Sequence, residues 1–235
     1  MNKKGTVPFN GFSQKTLDFL FENRLKNSKT WFEEHRGEYE TYVLEPLRAL
    51  VVNLTPVMLS IDPLFTVEPA VNKTIARIYR DVRFSRDKSL FRDEMWITFM
   101  RNKRFWAGLP GYYFLLGQGG FSYGFGYYEA TTESMAIFRD CIMKNDRAFQ
   151  KALAAYQNQT EFQLNGEKYK RSKFPGQPEE VMDWLDRKNI SFDHHSNDLS
   201  TLFSPRLADE LSTGFQQLKP IYDFIFLVEQ KRRRD

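Results

Sequence analysis

Apolar positions along this chain change period twice, from helical spacing to alternation and back. In the first third, Leu17, Leu20, Phe21 and Leu25 recur every three or four residues behind Phe12 and Ser13, the arrangement of a hydrophobic staple and an N-cap. A second helix is expected where Thr30 and Glu33 fit a capping box, with Trp31, Phe32, His35, Tyr39, Tyr42 and Val43 as an aromatic face. Pro46 suits the first turn of a third helix, which carries Leu47, Leu50, Val51 and Leu54 and is expected to end near Pro56.

Between residues 65 and 128 the pattern turns to β. Segments 74–80, 96–100, 112–116 and 121–128 are rich in aromatic and β-branched residues and broken by Gly, Pro or Asn. Helical spacing returns at Met135, Phe138 and Ile142, at Phe149, Leu153 and Tyr156, and at Val181, Trp184 and Leu185, this last group following a first turn of Pro178, Glu179 and Glu180. Ser204 and Pro205 open a final apolar run from Leu207 to Val228, which Pro220 is expected to kink or divide. The polar region 158–178 reads as a hairpin or a long surface loop. Helices, then strands, then helices predict an α+β fold: an antiparallel sheet flanked by amino- and carboxy-terminal helices, in a single domain over residues 1–235.

Composition supports a packed core, since aromatic residues make up 16% of the chain and Phe alone fills 22 positions. The expected compartment is the cytoplasm. The opening MNKKGTVPFNGF lacks an apolar signal core, no apolar run approaches the roughly 20 residues of a bilayer span, and the lone Cys141 has no partner for an internal disulfide. No membrane partner is expected, and oligomeric state is not legible. Cys141 reads as a small buried hydrophobe and His35 as a histidine of the helix face.

Charge is where the chain departs from balance. Thirty-four Lys and Arg against 30 Asp and Glu give +4, and all of that excess sits in RIYRDVRFSRDKSLFR, where Arg77, Arg80, Arg83, Arg86, Lys88 and Arg92 face only Asp81 and Asp87. Guanidinium forks match carboxylate and phosphate oxygens, so this segment is the candidate ligand site. Arg77, Arg80, Arg83, Arg86 and Lys88 would hold the anion, Tyr79 would flank it, and Asp81 would orient its neighbours. The segment is expected to run as a strand with Ile78 turned inward and to enter a loop near Asp81. The basic run from Lys231 to Arg234 reads instead as a tail that complements a helix dipole.

Other chemistry has weaker support. The stretch GQGGFSYGFG matches no phosphate-binding loop and reads as a strand whose glycines admit bulky rings. His194 and His195 point to opposite faces if they lie in a strand, and neither they nor Asp193 and Asp198 make a recognisable ligand spacing, so no metal and no cofactor are expected. No G-x-S-x-G, H-E-x-x-H or Walker motif occurs, which leaves enzymatic activity open.

The string RIYRDVRFSRDK resembles the hallmark of a mostly bacterial family, domain of unknown function 2461. The resemblance extends through GFSQKTLDFL, NSKTWFEEHRGEYE, the Gly and aromatic stretch and LNGEKYKRSKFPG. It implies a single-domain cytosolic protein and brings no assigned activity. Where relatives tend toward Thr-Pro-Tyr-Lys after the equivalent of Lys88, this chain has Ser89, Leu90, Phe91 and Arg92, which keeps the basic end and loses the proline.

Three readings of the arginine segment follow. It holds a small phosphate- or carboxylate-bearing ligand; it tracks a nucleic-acid backbone while exposed aromatics stack on bases; or it is a salt-bridged scaffold or protein interface.

Overall fold

Ser13 starts the first helix, α1 (Gln14–Lys26), as its spacing predicts. The Ser13 backbone N–H donates to Thr16 Oγ1 at 3.2 Å, and that hydroxyl donates onward to the Tyr42 carbonyl at 2.7 Å, which ties the helix start to the next helical run. Leu17 and Leu20 are buried as expected, but Phe21 and Leu25 are 52% and 70% exposed. The apolar stripe of α1 is therefore wider than the face it buries. Asn27 ends α1 in the left-handed conformation, with φ 48°.

The second helix, α2 (Lys29–Glu34), begins two residues earlier than its expected capping box. Ser28, left extended by the turn at Asn27, accepts from the Trp31 N–H at 3.3 Å, so Ser28 rather than Thr30 is the cap. Helix then continues through α3 (Arg36–Glu38), a π-helical stretch (Tyr39–Leu44) and α4 (Glu45–Ile61). Pro46 sits in the first turn of α4, but Pro56 lies inside it and does not end it. The Thr55 hydroxyl donates to the Val51 carbonyl at 2.8 Å beside that proline. The whole run Arg36–Ile61 has 26 residues and a mean hydropathy of 1.3 over its most apolar window. By length and composition alone this helix could cross a membrane. Its Leu47, Leu50, Val51 and Leu54 are fully buried, as in a core helix.

The sheet has five antiparallel strands: β1 (Glu94–Phe99), β2 (Gly111–Gly117), β3 (Gly120–Tyr127), β4 (Gln163–Asn165) and β5 (Ile190–Ser196), in the order β1-β2-β3-β5-β4. The first three fall on expected segments. Segment 74–80 does not join this sheet as a strand and makes only isolated bridges, Ile75 to Val71 and to Ile97 and Tyr79 to Phe91. The computed structural model describes residues 8–102, 109–127 and 130–233, so Tyr128 and Arg234 lie outside the described residues.

The chain then returns to helix in α5 (Thr132–Met143), α6 (Arg147–Gln157), α7 (Glu179–Leu185), α8 (Leu199–Leu202), α9 (Arg206–Gln217) and α10 (Lys219–Arg232). Pro220 divides the last apolar run, and it occupies the first turn of α10, where its missing N–H is harmless.

Two compact units emerge. One comprises Met1–Phe99, Tyr113–Tyr123 and His195–Thr213; the other comprises Met100–Tyr112, Gly124–His194 and Gly214–Asp235. In the first, Phe32 packs at 5.1 Å on Phe91 and at 5.3 Å on Tyr39 between ring centroids. In the second, Trp184 is enclosed by Phe149 at 5.5 Å and Phe192 at 5.1 Å. Cys141 in this unit is buried, and Lys231 Nζ lies 3.2 Å from its Sγ.

Candidate functional site

Segment 74–80 and the chain from Leu90 to Thr98 form an antiparallel hairpin. The Thr98 N–H donates to the Thr74 carbonyl at 2.8 Å, Ala76 to Trp96 at 2.9 Å, Arg92 to Ile78 at 2.9 Å and Arg80 to Leu90 at 2.8 Å. From the second of these bonds to the third, one arm advances from 76 to 78 while the other spans 92 to 96. The excess is a bulge opposite Arg77. It breaks the regular ladder and explains why this segment is not a strand of the main sheet. Arg92 Nε fills the gap by donating to the Arg77 carbonyl at 3.1 Å. Ile78 is buried as expected, and the Tyr79 ring lies 4.9 Å from Phe91 and 5.6 Å from Phe32. Tyr79 is thus an inward anchor, and burial raises its pKa.

Beyond Arg80 the chain makes the loop 81–89, in which the cations separate into distinct arrangements. Arg80 Nη1 donates to Asp87 Oδ2 at 2.5 Å, and Arg24 Nη2, from α1, reaches the same oxygen at 2.5 Å. The Ser89 N–H and hydroxyl donate to the other oxygen at 2.9 and 2.6 Å. These bonds, Ser89's first and then those of Arg24 and Arg80, hold the Asp87 carboxyl well below the usual carboxylate range. Arg83 grips Asp81 with Nε at 3.0 Å and Nη2 at 2.7 Å, and its side-chain and backbone bonds bring the Asp81 pKa down to about 2. Lys88 Nζ donates to the Val82 carbonyl at 2.9 Å and closes the loop on itself.

Arg77 and Arg86 are exposed, and their side chains make no hydrogen bond or ion pair among the described residues. Arg92 lies over the Trp96 ring at 4.4 Å. Partial burial lowers the Arg92 pKa, and the charges of Arg77 and Arg80 push in the same direction. Arg92 thus lies within the electrostatic reach of both Arg77 and Arg80.

The departure at residue 90 has a structural counterpart. The Leu90 N–H donates to Asn27 Oδ1 at 2.7 Å, which joins the hairpin to the cap of α1. A proline has no N–H for this bond.

A cleft of about 450 Å³ elsewhere in the same unit escaped the sequence reading. It is lined by Glu94, Leu115, the turn through Gly117, Gly119 and Gly120, and by Ser122 and His195, and none of the predicted site residues lines it. Gly120 has φ +108°, and a Cβ there would fall on the Ser196 carbonyl oxygen. The signal was present in the glycine-rich turn and His195. It went unread because β5 was not recognised as the strand that brings His195 to this turn. His194 has its Nδ1 3.2 Å from the Glu161 carbonyl oxygen, and His35 stacks on Trp31 at 4.0 Å.

Among the described residues, no three His, Cys, Asp or Glu side chains gather as a metal ion would require. No curated protein and no solved structure matches the chain. A family described as a conserved hypothetical protein, DUF2461, matches residues 15–224, and the chain belongs to that family.

Proposed function

We propose that residues 77–92 form an anion-recognition hairpin for a phosphate- or carboxylate-bearing partner, with Arg77, Arg80 and Arg92 receiving the anion. The observation that supports this reading is that Arg77 and Arg92, which share a neighbourhood with Arg80, have no matching carboxylate among the described residues. Among the described residues, none of Arg77, Arg86, Lys88 and Arg92 has a carboxylate within 4.0 Å, whereas Arg80 and Arg83 are paired. An anion set among like charges relieves their repulsion and accepts several charge-assisted bonds at once. Asp81 and Asp87 act as internal counterions that hold Arg83 and Arg80 in place.

The scaffold reading draws support from Asp87, which joins α1 to the hairpin through Arg24 and Arg80. It accounts for the paired cations and for Lys88 and Arg92, which bond backbone carbonyls, and leaves Arg77 and Arg86 without a role.

Thermal unfolding in inorganic pyrophosphate tests the proposal, because a ligand that binds only the folded chain raises its midpoint. Wild type is expected to gain stability, and Arg77→Ala to lose most of that gain. Arg83→Ala, which removes a group committed to Asp81, should lose less. No gain in wild type, together with unfolding of the variants at lower temperature, would favour the scaffold.

A further inference from the structure

We infer that the partner of this hairpin is a single-stranded nucleic acid whose phosphates meet the cations while one base stacks on Phe84; this rests on the anion-recognition reading above. Phe84 is 95% exposed, more than any other large apolar side chain among the described residues. It occupies the loop between the two arms, with the Arg83 guanidinium 5.8 Å from its ring centroid and Arg86 two residues on. An aromatic ring held in water among cations offers what a single strand requires, a π-face for an unpaired base and positive charge for the flanking phosphates.

The placement of the cations favours a chain-like partner over a membrane. Arg77 and Arg92 sit at the base of the hairpin, while Arg83, Arg86 and Lys88 sit in the loop with Phe84. Extended chain advances about 3.3 Å per residue, so the backbone covers about 10 Å from Arg77 to Arg80 before the loop begins. The long side chains of Arg77, Arg80 and Arg92 can bridge that span, but it sets Arg77 back from the loop tip. That backbone distance exceeds the Debye length of about 8 Å at physiological salt. If Phe84 entered a bilayer end-on, the basal cations would stand too far from its surface to contribute. A flexible polymer can follow the hairpin and engage both groups. Duplex DNA fits less well, because its bases are already stacked and paired.

The test measures binding of a fluorescently labelled dodecathymidylate to the full chain at several salt concentrations. Three or four phosphate contacts predict that log K falls with log salt at a slope of about −2 to −3. Phe84→Ala and Phe84→Leu should each weaken binding about tenfold, while Phe84→Trp should bind at least as well as wild type, because stacking needs a ring rather than apolar area alone. None of these variants should lower the unfolding midpoint or alter the response to pyrophosphate. Phe84→Leu binding as tightly as wild type would overturn the inference. So would preference for phosphatidylserine vesicles over the oligonucleotide. Binding of pyrophosphate without binding of the oligonucleotide would remove this inference and leave the anion reading standing, whereas binding of neither would remove both.

Discussion

Arg24 and Asp87 are 63 residues apart in the chain and 2.5 Å apart in space. Their contact fixes the end of α1 against a loop that otherwise carries an excess of positive charge, and Arg80 shares the same carboxylate oxygen. Asp87 is thus both a structural clasp and a resident competitor for any external anion.

Replacing Asp87 with Asn should lower the thermal midpoint by an amount that depends on pH. The folded-state pKa of Asp87 lies below its unfolded value of about 3.9. Its contribution is therefore complete above about pH 4 and is lost as pH falls toward the depressed folded value. The gap in midpoint between wild type and Asp87→Asn should narrow from pH 5 to pH 2. A constant gap across that range would show that the carboxylate charge is not what stabilises the loop.

In the second compact unit, Glu229 is 1% exposed and accepts from Tyr127 Oη, from Ser134 Oγ at 2.5 Å and from Arg232 Nη2 at 2.8 Å. Burial pushes its pKa up, but the bonds from Arg232, Ser134 and Tyr127 outweigh that and hold it below the ordinary value. Glu229→Ala should cost about 3 kcal/mol, because it leaves two hydroxyls without their acceptor and Arg232 with only its 3.9 Å contact to Glu133. Urea denaturation measures this, and a loss under about 1 kcal/mol would mean that water replaces the carboxylate readily.

Gly124 in β3 lies so close to β5 that a Cβ would fall on the Phe192 carbonyl oxygen. Backbone cannot move aside as a flexible side chain can. Gly124→Ala should therefore destabilise the chain by about 3 kcal/mol. Gly119, where a Cβ would meet nothing within 4 Å, serves as the control: Gly119→Ala should leave the urea midpoint within about 0.5 kcal/mol of wild type. Equal effects at the two sites would contradict the close approach.

The sequence made the strong patterns legible. Alternating rings in β2 and β3, the N-cap at Ser13 and the break at Pro220 all follow from local chemistry that tertiary contacts reinforce. It was silent where local signals conflicted. β5 reads ISFDHHS, whose Asp, His and Ser have little strand preference, although Ile190 and Phe192 alternate correctly and are fully buried. Pro56 looked like a stop because the missing N–H is a local property, whereas the burial that carries α4 past it is not. At the arginine segment, composition located the charge but not its partners. Arg24 lies far away in sequence, and the bulge opposite Arg77 is set by the register of two arms.

The most direct test of the central claim is a calorimetric titration of inorganic pyrophosphate into wild type, Arg77→Ala and Asp87→Asn at low salt. Anion recognition by the hairpin predicts saturable binding in wild type. It also predicts binding at least about tenfold weaker in Arg77→Ala, where a charge-assisted contact is lost, and tighter in Asp87→Asn, where the internal competitor is neutralised. No heat of binding in wild type, or equal affinity in all three proteins, would contradict it.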